Sequence, residues 1–337
     1  MTSSSKLRVG VVGCGRMGRL HARVYSEMPD VELVGVYDVL PDVTRRTAEV
    51  HGGRPFDSLE ALADNVDAVS IASPTSAHED AAGAFIRRSI PCLIEKPLAV
   101  DTATARRIAQ LAAEHKCIVQ VGHIERFNPA VRAMTDIGIK PRFLEVDRVS
   151  PFSFRSIDVG VVLDMMIHDI DIILRLADSE VTDVSATGVA VIGDGEDVCN
   201  ARITFANGCV ANLTASRLAL KTERKLRVFA QDAYVSLDYQ KKYGIVVKKA
   251  GNLDTLKQVV DDVRSGKITD LGDVDYTELV DIQQLQISDV EPLRAQLESF
   301  LNAVRTGSKP EVTAEDGLAA VQVAERIVAA MPAAKVE

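Results

Sequence analysis

The sequence predicts an α/β protein in two parts: a parallel sheet flanked by helices, then a second α/β region built on a large, mostly antiparallel open sheet. Two patterns predict it. From residue 7 to about 121, short apolar runs alternate with helical stretches, as in a parallel sheet covered on both faces. After about residue 180, strand-like runs follow one another through tight connections, as antiparallel neighbours do. A chain of 337 residues is ample for both parts.

In the first part, Leu7–Val12, Val31–Tyr37, Val66–Ala72, Pro91–Ile94 and Ile118–Val121 read as strands. Helical stretches lie near 16–28, 41–50, 77–88 and 102–115. Ser76-Ala77-His78-Glu79 has capping-box spacing and is expected to open one of these helices. Beyond residue 123, a helix near 128–137 and a strand near 142–149 precede an apolar helix near 160–177. Strands are then expected at 181–192, 198–206, 209–216, 224–230, 233–239 and 243–249, with Asn207-Gly208 marking a tight hairpin. The acidic, weakly patterned stretch 253–290 reads as a long excursion from that sheet. Helices near 291–305 and 314–331 close the chain. The expected division is a first domain over 1–122, a second over 123–310, and a terminal helical segment, 311–337, packing back on the first.

The segment Val9 to Gly18 carries the first chemistry. Gly13, Gly15 and Gly18 fit G-x-G-x-x-G between a strand and a helix. The first glycine allows the turn, the second admits a pyrophosphate to the backbone, and the third permits close helix–strand packing. The helix start, with Arg16 and Met17, then faces the phosphates. Asp38 follows at the end of the second strand, where a carboxylate holds the adenosine ribose hydroxyls of NAD. Val39 and Leu40 supply no arginine for a 2′-phosphate, so NAD is expected over NADP. The first part therefore reads as a dinucleotide-binding domain.

Pro91-Cys92-Leu93-Ile94 is a short buried strand, and Glu95-Lys96-Pro97 puts two charges and a fixed turn at its carboxyl end. In a parallel sheet that end faces the ligand crevice, so Lys96 is aimed at whatever the domain binds. Ser73, Pro74, Thr75 and His78, at the end of the preceding strand, are expected to border the nicotinamide side of the cofactor; His78 reads equally as a surface residue in a first helical turn.

The helix from Gly160 to Arg175 is apolar almost all round, as a buried helix is. Yet Asp164, His168, Asp171 and Arg175 share one face. An imidazole of ordinary pKa about 6.5 suits proton acceptance near neutrality, and Asp164 is placed to orient it. Asp171 and Arg175 read as a structural ion pair. Two candidate ligands on one helix do not specify a metal, and none is expected.

Composition narrows the classes. A hydrophobic fraction of 47% and a charged fraction of 26% are those of an ordinary globular protein. The net charge of −9 argues against non-specific nucleic-acid binding. No apolar run approaches the roughly 20 residues of a membrane span, and no signal region opens the chain. Five scattered cysteines without a C-x-x-C pair fit reduced thiols, and a cytoplasmic location is expected.

The motifs Gly13-x-Gly15-x-x-Gly18, Glu95-Lys96-Pro97 and Asp164-x-x-x-His168, in that order, resemble the Gfo/Idh/MocA oxidoreductases over nearly the whole chain. The resemblance implies that Lys96, Asp164 and His168 converge as a catalytic group beside the nicotinamide, with Glu95 next to the cofactor. It also implies a Rossmann first domain, then an α/β domain with a large open sheet, and assembly into a homodimer or homotetramer through that sheet. Gly122 to Val131, Asp164 to Asp171, Thr214-Ala215-Ser216-Arg217 and Arg224-Lys225-Leu226-Arg227 resemble the UDP-N-acetylglucosamine 3-dehydrogenase branch. That branch oxidises the sugar C3 hydroxyl with NAD; related branches act on uronate nucleotide sugars, inositols or free sugars, and some Rossmann relatives only sense NAD. His123, Arg126, Asn128 and Arg217 are the expected substrate contacts, and Phe127 is expected to pack. The basic cluster Arg217, Lys221, Arg224, Lys225 and Arg227 suits a diphosphate, or equally a solvated strand edge or an oligomer interface.

Overall fold

A computed structural model of the chain describes residues 6–153, 159–192, 194–249, 258, 261–262, 264–267 and 280–332. Most of the acidic excursion expected over 253–290 lies outside the described residues. The chain forms two compact units. The first comprises Met1–Phe127, Val162–Ile172 and Val290–Ala329, and the second Asn128–Val161, Ile173–Asp289 and Ala330–Glu337.

The first unit holds a six-stranded parallel sheet. Its strands are β1 (Leu7–Val12), β2 (Val31–Tyr37), β3 (Arg54–Pro55), β4 (Ala68–Ile71), β5 (Cys92–Glu95) and β6 (Val119–Gly122), in the order β3-β2-β1-β4-β5-β6. The strand order reverses between β2 and β4 about β1, and ligands bind at such a switch point. Helices α1 (Arg16–Ser26), α2 (Pro41–His51), α3 (Leu59–Ala63), α4 (His78–Ile86) and α5 (Thr102–Glu114) connect the strands. Strand β3 and helix α3 are too short to leave a periodic signal and were not legible in the sequence.

Two apolar cores flank this sheet. One joins Val9, Val11, Tyr25 and Leu93 with Leu293, Leu297 and Phe300. The other joins Ile71, Phe85, Ile94 and Ile108 with Val312, Ala314 and Val321. Helices α8 (Pro292–Thr306) and α9 (Ala314–Ala330) thus supply core residues on both sides. The observed division is discontinuous in sequence and differs from the expected break at 122 and 310. The reason is long-range: α8 belongs to the first unit because its apolar stripe fills that core, and Val162–Ile172 because its polar groups bond to Lys96, just after β5, and to Arg126 in the turn after β6.

The capping box expected at Ser76 does not form. A 3₁₀ turn, Thr75–Ala77, leads into α4 without a side-chain cap, and Glu79 instead binds Arg107 through both carboxylate oxygens at 2.6 and 2.8 Å. The expected helix near 160–177 is also modified. It opens with a π-helical turn, Val162–Met166, before the regular helix α7 (Ile167–Ala177). Such turns are rare and cluster at functional sites.

The second unit contains α6 (Pro129–Thr135) and an eight-stranded sheet. Its strands are β7 (Phe143–Val149), β8 (Val181–Val189), β9 (Val198–Phe205), β10 (Val210–Ser216), β11 (Glu223–Phe229), β12 (Ala233–Asp238), β13 (Tyr243–Lys249) and β14 (Val280–Gln284). Their order is β14-β13-β12-β11-β7-β10-β9-β8, and only the β7–β10 pair is parallel. Gly208, at φ 82°, makes the β9–β10 hairpin, and the Asn207 side chain accepts from the Cys209 amide at 2.9 Å. Burial alternates along β7, β9 and β10, so one face of the sheet is buried and the other open.

Candidate active site

The glycine loop follows β1 and ends at the first residue of α1. Gly13 has φ +86°, and a Cβ there would lie 2.5 Å from the Ser73 amide nitrogen. A Cβ on Gly18 would stand 1.7 Å from the Gly13 carbonyl oxygen, so the helix approaches the loop more closely than any side chain permits. At Gly15 the space where a Cβ would point is open, which leaves room for a phosphate over the backbone. Arg16 is exposed and Met17 half-buried at the helix start.

Asp38, just past β2, faces this loop. Its carboxylate accepts from the Cys14 amide at 2.7 Å and from the Leu40 amide at 3.0 Å. The acid therefore braces the loop while standing where ribose hydroxyls are received. These features fit a dinucleotide. Burial pushes the Cys14 thiol up to about 11, which leaves it a protonated, unreactive group.

Lys96 leaves the carboxyl end of β5. Its ammonium donates to the main-chain carbonyl of Asp164 at 2.6 Å and to an Asp164 carboxylate oxygen at 3.4 Å. An ammonium has three donors, so one remains. Its side chain keeps 19% of its exposure and that of Asp164 34%, so the pair is partly sheltered but reachable. Asp164 sits in the π-helical turn, and His168, four residues on, lies half-buried in the first turn of α7. Lys96 and Asp164, two of the three residues named from the motifs, are thus in direct contact.

Other expected site residues are placed differently. Glu95 is buried, with His21 Nε2 3.1 Å and Gln296 Nε2 3.5 Å from its Oε1. His78 is also buried: its Nε2 lies 3.0 Å from the Ser73 carbonyl and its Nδ1 3.1 Å from that of Pro97. It sits between the end of β4 and the turn after Lys96; burial lowers its pKa, which favours the neutral ring, whose single N–H can donate to only one of these sides. Ser73 and Thr75 are half-buried and Pro74 exposed beside it.

His123 is 1% exposed, and neither ring nitrogen has a protein partner. Burial lowers its pKa too. With both nitrogens enclosed, it is not available to a substrate hydroxyl in this conformation. Arg126 donates to both oxygens of Asp171, each at 2.8 Å, so Asp171 pairs with Arg126 and not with Arg175, which is exposed. Phe127 is buried in the core.

In the second unit, the Asn128 side chain accepts from the Ala130 amide at 3.0 Å and caps α6. Arg217 is buried, donating to the Asp197 carboxylate at 2.5 Å and to the Val159 carbonyl at 2.8 Å. Three more of the basic cluster also meet carboxylates: Lys221 and Lys225 pair with Glu223, and Arg227 with Glu145. A charge run reads as a diphosphate site in one dimension, whereas here Glu223 on the same strand and Glu145 across the sheet offset part of it. Among the described residues, no three His, Cys, Asp or Glu stand close enough to hold a metal, and no helix is long and apolar enough to cross a membrane.

Sequence reasoning missed His21 and Gln296. His21 falls on the stripe of α1 that also buries Gly18, Ala22 and Tyr25, and a histidine on such a stripe was the signal available.

Comparison with known proteins adds to this geometry. Residues 7–123 match the model of an oxidoreductase family with an NAD-binding Rossmann fold, and 142–236 match the GFO/IDH/MocA C-terminal domain. A UDP-N-acetylglucosamine 3-dehydrogenase from Acidithiobacillus ferrooxidans is 38% identical over 303 residues, 88% of each chain. Its solved structure superposes with a TM-score of 0.86, covering 97% of this chain and 98% of that one. An inositol 2-dehydrogenase from Rhizobium meliloti is 28% identical over 96% of each chain.

Proposed function

The chain belongs to the GFO/IDH/MocA oxidoreductase family, and we propose that it oxidises the C3 hydroxyl of UDP-N-acetylglucosamine with NAD. The observation that carries the reaction type is the Lys96–Asp164 contact at the carboxyl end of β5. The substrate class rests on the likeness to the Acidithiobacillus ferrooxidans enzyme. A second reading, an inositol dehydrogenase, is favoured by the full-length likeness to the Rhizobium meliloti protein.

Gly13, Gly15, Gly18 and Asp38 would hold NAD, which would supply the hydride acceptor for the carbinol carbon. The residues of the chain handle the proton and the charge. Lys96 gives its remaining N–H to the hydroxyl oxygen and stabilises the negative charge that grows there. Asp164 holds the ammonium through its carbonyl and carboxylate, which fixes its direction. His168 takes the hydroxyl proton.

The open face of the eight-stranded sheet supports a homo-oligomer. Cross-strand register aligns Phe143, Phe229, Tyr234, Val247 and Ile282 in one row. The first three rings stack at centroid distances of 5.6 and 4.9 Å, and Ile282 is 50% exposed. A second copy burying this row gives the assembly, and sedimentation velocity measures it. The five free thiols support a cytoplasmic location.

The test is a substrate panel of UDP-sugars, uronate nucleotide sugars, free sugars and inositols with NAD, followed at the NADH absorbance. Selective turnover of UDP-N-acetylglucosamine is expected. Preference for an inositol establishes the second reading, and no turnover with tight NAD binding points to a sensor.

A further inference from the structure

Glu95 poses a physical problem. It is a carboxylate 7% exposed, directly before Lys96 in sequence. Desolvation opposes its ionisation, but His21, the neighbouring Lys96 charge and the Lys96 amide outweigh that, and its pKa is lowered. Burying a hydrogen-bonded carboxylate in a core brings little or no stability compared with apolar residues of the same shape. The surroundings are not those of an optimised structural network either. His21 Nδ1, Gln296 Oε1 and Gln120 Oε1 are buried without a protein partner. The chain also makes room for this carboxylate: a Cβ on Gly122 would meet Glu95 Oε1 at 2.7 Å.

The connections of Glu95 run in two directions. One oxygen faces His21, on the second turn of α1, the helix capped by Gly15. The other accepts from the Lys96 amide at 3.4 Å. Gln296 of α8 backs the first oxygen, and Gln120 of β6 holds the Gln296 carbonyl at 3.0 Å. His21 is itself fixed edge-on to Tyr25, whose hydroxyl bonds Ser70 of β4 at 2.7 Å. Successive residues leaving a strand point to opposite sides. Drawing Glu95 into the core therefore turns Lys96 outward, toward Asp164.

We infer that His21 and Glu95 form a positioning pair for Lys96, linking the helix that seats the dinucleotide phosphates to the ammonium that meets the substrate hydroxyl. This rests on the role given to Lys96 above. His21 touches neither substrate nor cofactor in this scheme; it acts only through Glu95, and Glu95 only through the placement of Lys96.

The test is a double-mutant cycle between His21→Ala and Lys96→Ala, with Glu95→Gln as an isosteric third variant. The readouts are kcat, NAD affinity by fluorescence, and Tm. His21→Ala is expected to lower kcat about 10- to 100-fold, the loss that a small misplacement causes, with NAD affinity changed less than about threefold. In the Lys96→Ala background the same substitution is expected to leave the residual kcat unchanged, since the group it positions is gone. Glu95→Gln keeps the shape and the amide contact, and its kcat is expected between wild type and His21→Ala. An Ile86→Val core variant of matched Tm loss, with kcat retained, separates positioning from general loosening. If His21→Ala slows turnover by the same factor in both backgrounds, or if both His21→Ala and Glu95→Gln turn over like wild type, the pair does not position Lys96. Should His21→Ala fail to fold, Glu95→Gln crossed with Lys96→Ala decides by the same criterion. Wild-type turnover in Lys96→Ala itself would instead refute the role of Lys96, a different result.

Discussion

The Lys96 ammonium lies closer to the main-chain carbonyl of Asp164, 2.6 Å, than to its carboxylate, 3.4 Å. The π-helical turn turns that carbonyl to the lysine, so the backbone holds Lys96 as much as the acid does. Two substitutions should therefore differ. Lys96→Ala removes the proposed donor to the substrate oxygen and is expected to lower kcat about 10²- to 10⁴-fold. Asp164→Asn keeps the carbonyl contact and is expected to cost only about tenfold. His168→Ala should resemble Lys96→Ala. Steady-state kinetics with separately measured NAD affinity checks this, and equal losses at 96 and 164 would mean that the carboxylate carries the positioning.

Asp38 is expected to set the cofactor preference. Its Oδ2 accepts the Cys14 amide at 2.7 Å, and Oδ1 is tied to Leu40. A 2′-phosphate brought to that carboxylate meets a like charge. Asp38→Ser is expected to lower kcat/KM for NAD by about tenfold, roughly 1.4 kcal/mol, and to narrow the gap to NADP. A variant that keeps the wild-type NAD-to-NADP ratio would remove Asp38 from cofactor choice.

What was legible in the sequence was local. Strand and helix alternation, the glycine spacing, Asn207-Gly208 and the charges at 95 and 96 are each written within a few residues. What was not legible depends on partners distant in sequence. Asp171 has an arginine four residues on, and pairing with Arg175 was the natural expectation, but Arg126 is folded against it from 45 residues away. His78 read as a cofactor neighbour because of its place after β4, whereas three backbone carbonyls surround its ring. The π-helical turn left no mark either, because one extra residue in a turn does not disturb an already continuous apolar pattern.

The Arg126–Asp171 pair predicts a stability cost. Asp171 is 1% exposed and bound through both oxygens. Arg126→Ala strands a buried carboxylate and is expected to destabilise the protein by about 3 kcal/mol or more. Asp171→Asn keeps one acceptor and should cost less. Denaturant unfolding of the two variants checks the order; a smaller loss for Arg126→Ala would show that Asp171 finds other partners.

Asp197 gives a pH dependence with a definite sign. Desolvation works against its charge, but the amides of Ile192 and Val191, at 2.7 and 2.6 Å, and the Arg217 guanidinium overcome it and bring its pKa to about 2. A carboxylate lowered on folding stabilises the protein fully above its unfolded pKa, about 3.9, and that contribution fades as pH falls toward the folded value. The second unit should therefore keep the Asp197 contribution at pH 5 and lose it between about pH 4 and 2. Asp197→Asn removes the charge at every pH, so the difference in unfolding free energy between wild type and variant should shrink over that same interval. Paired denaturant titrations at pH 6, 4 and 3 measure it. A difference that stays constant down to pH 3 would mean that Asp197 stabilises through hydrogen bonds the amide also makes, and not through its charge beside Arg217.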